Sequence, residues 1–166
     1  MIKLFLVSSE NNNSFGVNIV LKNLSKELNK YCFIHKNFPI KNLLNSKNRI
    51  LHIHGCWSLK IFFYFIIAKL ANIKVILSPH GMVDPYSFKL KPIKKKIAWI
   101  FFQKIIFEYL DFIILNSFLE KKNIIDLIKT KKIKVIPHGI ENLEKIKLKK
   151  TSKKKNLKFV YFSRIH

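Results

Sequence analysis

The chain has 166 residues, about half of them hydrophobic, enough for one ordinary domain with a real core and too apolar for a disordered segment. Its net charge of +23 suggests a polyanion partner, yet Arg49 and Arg164 are the only arginines among 32 basic residues. A dedicated reader of phosphates and bases would use the planar arginine fork. Lysine, isoleucine, asparagine and phenylalanine are the amino acids of A/T-rich codons, so the charge reads first as a solvated lysine surface. Cys32 and Cys56 fit neither a disulfide framework nor a zinc spacing and are expected to be reduced.

Residues 2–7, "IKLFLV", read as a first buried strand, too short a stretch for a signal peptide. After the polar loop "SSENNNSFG", Val17, Val20, Leu21, Leu24 and Leu28 fall on one face of a helix. "YCFIH" is a weak strand and "RILHIH" a stronger one. The most apolar window, 61–77, is broken by Lys69, Asn72 and Lys74, short of the ~18 uninterrupted residues of a membrane span. A buried helix running into the strand "IKVILS" accounts for it. The loop "PHGMVDP" then leads to a helix from about Pro92 to Leu110, with proline in its first turn. "DFIIL" is a strand. "SFLEKKNIIDLIK" is a helix opening on Ser117-x-x-Glu120, a capping box that accounts for Glu120 more simply than the alternative, an active-site carboxylate. "IKVIP" is the next strand, and Asp84 and Asp111 read as turn and strand-edge residues.

Strands that are continuous apolar runs, alternating with helices, specify an α/β fold: a doubly wound parallel sheet. Residues 1–142 form that Rossmann-like domain, 143–156 a lysine-rich connector, and 157–166 the first strand of a second, truncated domain. In such sheets ligands sit at the carboxyl ends of the strands, where His54-Gly55, His80-Gly81 and His138-Gly139 all fall. No GxGxxG follows the first strand and no GxxxxGK[ST] occurs, so dinucleotide and P-loop chemistry lack support. Gly16 opens the first helix, whose free N–H groups suit an anion. His52 and His54 share a strand face, but buried or hydrogen-bonded imidazoles are the commoner case, and no metal is expected.

Taken in order, "HIHGCWS", "SPHGMVDP", "KKKIAWIF", "DFIILNSFLE", "VIPHGIE" and "VYFSRIH" resemble the N-terminal half of a family-4 glycosyltransferase of GT-B fold. The resemblance implies a retaining transferase that moves a sugar from a nucleotide-sugar to a glycan or lipid-linked acceptor in cell-surface polysaccharide synthesis. It implies that His80 and Gly81 line the catalytic cleft, that Gly16 and Arg164 face the donor, and that His54 and Gly55 border the acceptor. Charge at the departing diphosphate would come from Arg, Lys and helix N-termini, without a metal. The chain departs from the family pattern at the first loop, which lacks a paired glycine, at His138 in place of asparagine, and at Ser163 in place of glycine. The lysine and glutamates that grip the donor in the family would lie beyond His166, so the 166-residue product is expected to be inactive alone. With neither a signal peptide nor a membrane span expected, the location is expected to be cytoplasmic, with peripheral contact at the inner face of the membrane left open. The alternative is a basic α/β module for nucleic acid or an anionic membrane; the scarcity of arginine argues against specific nucleic-acid binding.

Overall fold

The computed structural model describes residues 2–9, 15–35, 48–127 and 133–139. The expected connector 143–156, the segment 157–166 and Arg164 lie outside the described residues. Six strands, β1 (Ile2–Ser8), β2 (Cys32–His35), β3 (Arg49–His54), β4 (Lys74–Ser78), β5 (Phe112–Leu115) and β6 (Ile133–Val135), form one parallel sheet in the order β2-β1-β3-β4-β5-β6. Each lies within two residues of the boundaries expected from its apolar run.

Alternation along the strands sends side chains to opposite faces. On one face Leu4, Leu6 and Cys32 pack with Leu21, Leu24 and Leu28 of α1 (Phe15–Leu28). On the other, Phe5, Val7, Leu51, Ile53, Val75, Leu77, Ile113 and Leu115 form the larger core. It is closed by Ile61, Phe65 and Ala68 of α2 (Leu59–Leu70), Ile106 and Phe107 of α5 (Lys104–Tyr109), and Ile124 of α6 (Phe118–Ile124). The fold is thus α/β and Rossmann-like, with helices on both faces. Both cysteines are free and buried. The apolar window 61–77 is indeed a helix running into a strand, and no helix among the described residues is long and apolar enough to cross a membrane.

The stretch expected as one helix from Pro92 to Leu110 is more elaborate. A short α3 (Pro85–Lys89) precedes it, and α4 (Pro92–Ala98) passes into α5 through a π-turn at Trp99–Gln103. There the Lys104 N–H reaches the Trp99 carbonyl five residues back. The widened turn puts Phe102 and Gln103 into the interior. Gln103 Oε1 then accepts the Trp57 N–H at 2.9 Å, supporting a backbone position with φ of +69°. Periodicity could not reveal this, because the extra residue is held by tertiary contacts.

The amino ends of the strands are tied by charge. Asp111 Oδ2 accepts from Lys69 Nζ at 3.0 Å and from the Val75 N–H at 2.8 Å. Burial alone would raise the Asp111 pKa; the Val75 N–H and the Lys69 ammonium outweigh it and hold the carboxyl below its ordinary value.

Candidate functional site

The order of the strands reverses between β1 and β3: β2 lies to one side of β1, and β3 to β6 follow on the other. The carboxyl end of that switch is where doubly wound sheets bind ligands. Backbone bonds continue there beyond the last paired residues, with Ser9 N–H donating to the His54 carbonyl at 2.9 Å and Gly55 N–H to the Ser78 carbonyl at 2.8 Å. Gly55 has φ of +93°, a backbone state that demands glycine, and a Cβ on it would fall 2.0 Å from Ser9 Oγ, which would have to turn away.

The chain turns sharply after β4. His80 (φ +53°) and Gly81 (φ +73°) are successive left-handed residues, a state glycine adopts freely and histidine at some cost. What holds them is Glu120. Its Oε1 accepts the Gly81 N–H at 2.7 Å, its Oε2 the Asn116 N–H at 2.7 Å, and its own N–H is capped by Ser117 Oγ at 3.0 Å. Half of the expected capping box is therefore present. The carboxylate, however, does not turn back to the Ser117 N–H but clamps the β4 loop to the end of β5. No spacing within the chain signals that reach, since Glu120 and Gly81 are 39 residues apart.

Four imidazoles meet at this rim. His54 Nδ1 is 2.9 Å from His80 Nε2, and His80 Nδ1 is 3.3 Å from His138 Nε2 and 3.4 Å from the amide Nδ2 of Asn116. The rings of His54, His80 and His138 are stacked at centroid separations of 5.1 and 5.2 Å. His52 lies behind, 4.1 Å from the His54 ring, with Nε2 2.9 Å from Ser78 Oγ. Burial, and then His80, lowers the His52 pKa to about 3. Burial, and then His138, lowers that of His80 to about 4. His54 is driven further down, first by burial and then by its three imidazole neighbours. All three are neutral at pH 7.

Neutral rings have one donor and one acceptor nitrogen each. With Asn116 Nδ2 donating to His80 Nδ1, the His80 proton sits on Nε2 and is given to His54 Nδ1. His54 then carries its own proton on Nε2, which is buried without a partner among the described residues, as is Ser9 Oγ. Among the described residues no three His, Cys, Asp or Glu side chains are grouped to hold a metal ion. Cys56, fully buried next to Gly55, has its thiol pushed well up by burial and by the Glu120 charge, so it is no nucleophile.

The expected site residues fall as follows. His54, Gly55, His80 and Gly81 are brought together at the rim. Gly16 is exposed in the first turn of α1, with open space around it, so nothing steric requires glycine there. Asp84 caps α3 at the Tyr86 N–H, the turn role expected of it. His138, expected at the same carboxyl edge, meets His80 there, whereas Asn116, 36 residues from His80, has no local pattern that signals the contact.

A parallel sheet covered on both faces, with left-handed turns and imidazoles gathered at the carboxyl ends of β3, β4 and β6, defines a Rossmann-like domain. The chain belongs to Glycosyltransferase Family 4, whose model matches residues 31–142. It is also similar to an uncharacterized 41.2 kDa protein in the cps region of Klebsiella pneumoniae, 32% identical over 118 residues. That match covers 65% of this chain and 32% of the relative, so the aligned part spans about a third of the relative's length.

Proposed function

We propose that residues 1–142 are the acceptor-side half of a retaining glycosyltransferase that uses a nucleotide-sugar donor and a glycan or lipid-linked acceptor in surface-polysaccharide synthesis. The observation that carries this reading is the 2.9 Å contact between His54 and His80 at the carboxyl ends of β3 and β4, next to the switch point of a family-4 domain. His80 hydrogen-bonds the transferred sugar, and Gly81 lets the backbone approach it. His54 and Gly55 border the acceptor, and the N–H groups opening α1 at Gly16 face the donor phosphates. The connector 143–156 leads to the donor-binding half, which residues 157–166 open and in which Arg164 faces the diphosphate. Transition-state charge builds on that leaving group, so groups of both halves must close on it. The polysaccharide part of the reading is supported by a relative described as lying in a cps region.

The test is a transfer assay on the 166-residue chain with UDP- and GDP-sugars and a polyprenyl-phosphate-linked glycan, run beside NMR titration of its histidine rings. The reading expects shifts at His80 and His54 with no turnover. Turnover by the 166-residue chain would refute the division of labour, and absence of any shift at His80 would refute the site.

A second observation concerns location. Ile93, Ile97, Ile100 and Phe101 are all more than half exposed along one flank of α4 and the π-turn, beside exposed Lys89, Lys91, Lys94 and Lys96. Apolar side chains rimmed by lysines suit an anionic bilayer surface, where each lysine adds ~1 kcal/mol. This flank would hold the domain peripherally where a lipid-linked acceptor is presented. Co-sedimentation with phosphatidylglycerol vesicles, weakened by salt and by Ile97→Glu, is the expected result; equal binding to phosphatidylcholine alone would count against it.

A further inference from the structure

His80 has no nitrogen left for a substrate. Its Nε2 is committed to His54 at 2.9 Å, and its Nδ1 faces both His138 Nε2 at 3.3 Å and Asn116 Nδ2 at 3.4 Å. The two sides differ in quality. A separation of 2.9 Å is an ordinary hydrogen bond, whereas 3.3 and 3.4 Å lie beyond the usual range for nitrogen donors. The His54 side is also buried, while His138 is exposed. His138 follows β6, and its ring stacks on His80 with an interplanar angle of 20°. It thus covers the solvent side of His80.

We infer that His138 is a built-in placeholder: its imidazole occupies the position at His80 Nδ1 that a sugar hydroxyl takes on binding, and it must swing away for ligand to enter. The inference rests on the sugar-handling reading of His80 given above. A hydroxyl donating to Nδ1 at ordinary length replaces two long contacts with one good one, so the exchange is favourable at the ring itself. The His54 contact is untouched by it, and the incoming hydroxyl takes over from Asn116 Nδ2 as the donor that keeps Nδ1 an acceptor. His138 then sets the threshold for ligands: one that cannot donate a hydroxyl to Nδ1 does not displace it.

Diethyl pyrocarbonate attacks an unprotonated, accessible imidazole nitrogen, so initial rates at individual histidines, read by peptide mass spectrometry at pH 7, report the cover directly. His138→Ala should raise the initial rate at His80 several-fold and leave His52 and His54 slow. UDP-glucose, or a glycosylated polyprenyl phosphate as a second probe, should protect His80 at lower concentration in the variant than in the unmodified chain. An unchanged rate at His80, or protection needing the same or a higher probe concentration after His138→Ala, overturns the placeholder. A faster rate with no protection by either probe in either protein leaves the cover standing and sinks the sugar reading instead. His138→Gln, which keeps a donor without the stacked ring, should fall between the two; a rate equal to the unmodified chain would again overturn the role of the ring.

Discussion

The two ends of this sheet handle polar groups in opposite ways. At the amino ends, Asp111 is neutralised by Lys69 and the Val75 N–H, and Arg49 Nη2 donates to the Ala71 carbonyl at 3.4 Å. At the carboxyl ends the imidazoles are neutral, they lean on one another, and His54 Nε2 and Ser9 Oγ are left without partners. The first end uses charge to fix the fold. The second leaves hydrogen-bonding capacity that protein groups do not use. Arg49 Nη1, buried and unpartnered, is the exception at the amino end.

Removing the clamp breaks the comparison most severely. Glu120→Ala strips acceptors from two backbone N–H groups and should cost about 3 kcal/mol in urea unfolding. Glu120→Gln keeps one carbonyl oxygen and should cost about half as much. The result that would count against the clamp is Glu120→Ala matching the unmodified chain in both stability and His80 NMR shifts. Next comes Gly55→Ala, for which the positive φ and the Ser9 contact predict a loss of about 2 kcal/mol. The contrasting Gly16→Ala, in open space within a helix, should be neutral or stabilising by up to about 1 kcal/mol. Equal effects at the two glycines would show that the rim is not specially constrained.

Acid should separate the two ends. His52 and His80 have folded pKa values of about 3 and about 4 against an ordinary 6.5, so the unfolded chain takes up protons first. Stability is complete above pH 6.5 and falls below it, down to the folded values, with a limiting slope of about 1.4 kcal/mol per pH unit per histidine. Asp111 is also held low, so its contribution is present above its ordinary value of 3.8 and is lost only as pH falls below that. Urea midpoints should therefore begin to drop near pH 6, well before the Asp111–Lys69 pair titrates. A midpoint flat between pH 7 and 4.5 would show that the imidazoles are not buried neutral.

How much of this was legible depended on whether a local pattern carried it. The strand "RILHIH" and its neighbours were readable because a parallel strand buried on both faces must be a continuous apolar run. The gathering of His54 and His80 followed from topology, since both lie at carboxyl ends of adjacent strands. Glu120 was read as a cap because the local half of its bonding mimics one; its other partner, Gly81, comes from a different strand end. The π-turn was invisible for a related reason, since only the packing of Gln103 against Trp57 distinguishes it from regular helix.

That turn has a geometric consequence. Five residues wound with i to i−5 bonds turn the chain through roughly the same angle as four α-helical residues, so the segments on either side of Trp99–Gln103 stay nearly in phase. Ile93 and Ile97 therefore keep the outward face that regular winding would also give them. The extra residue thus serves the Gln103–Trp57 contact inside the domain and leaves the greasy, cationic flank pointing where it was.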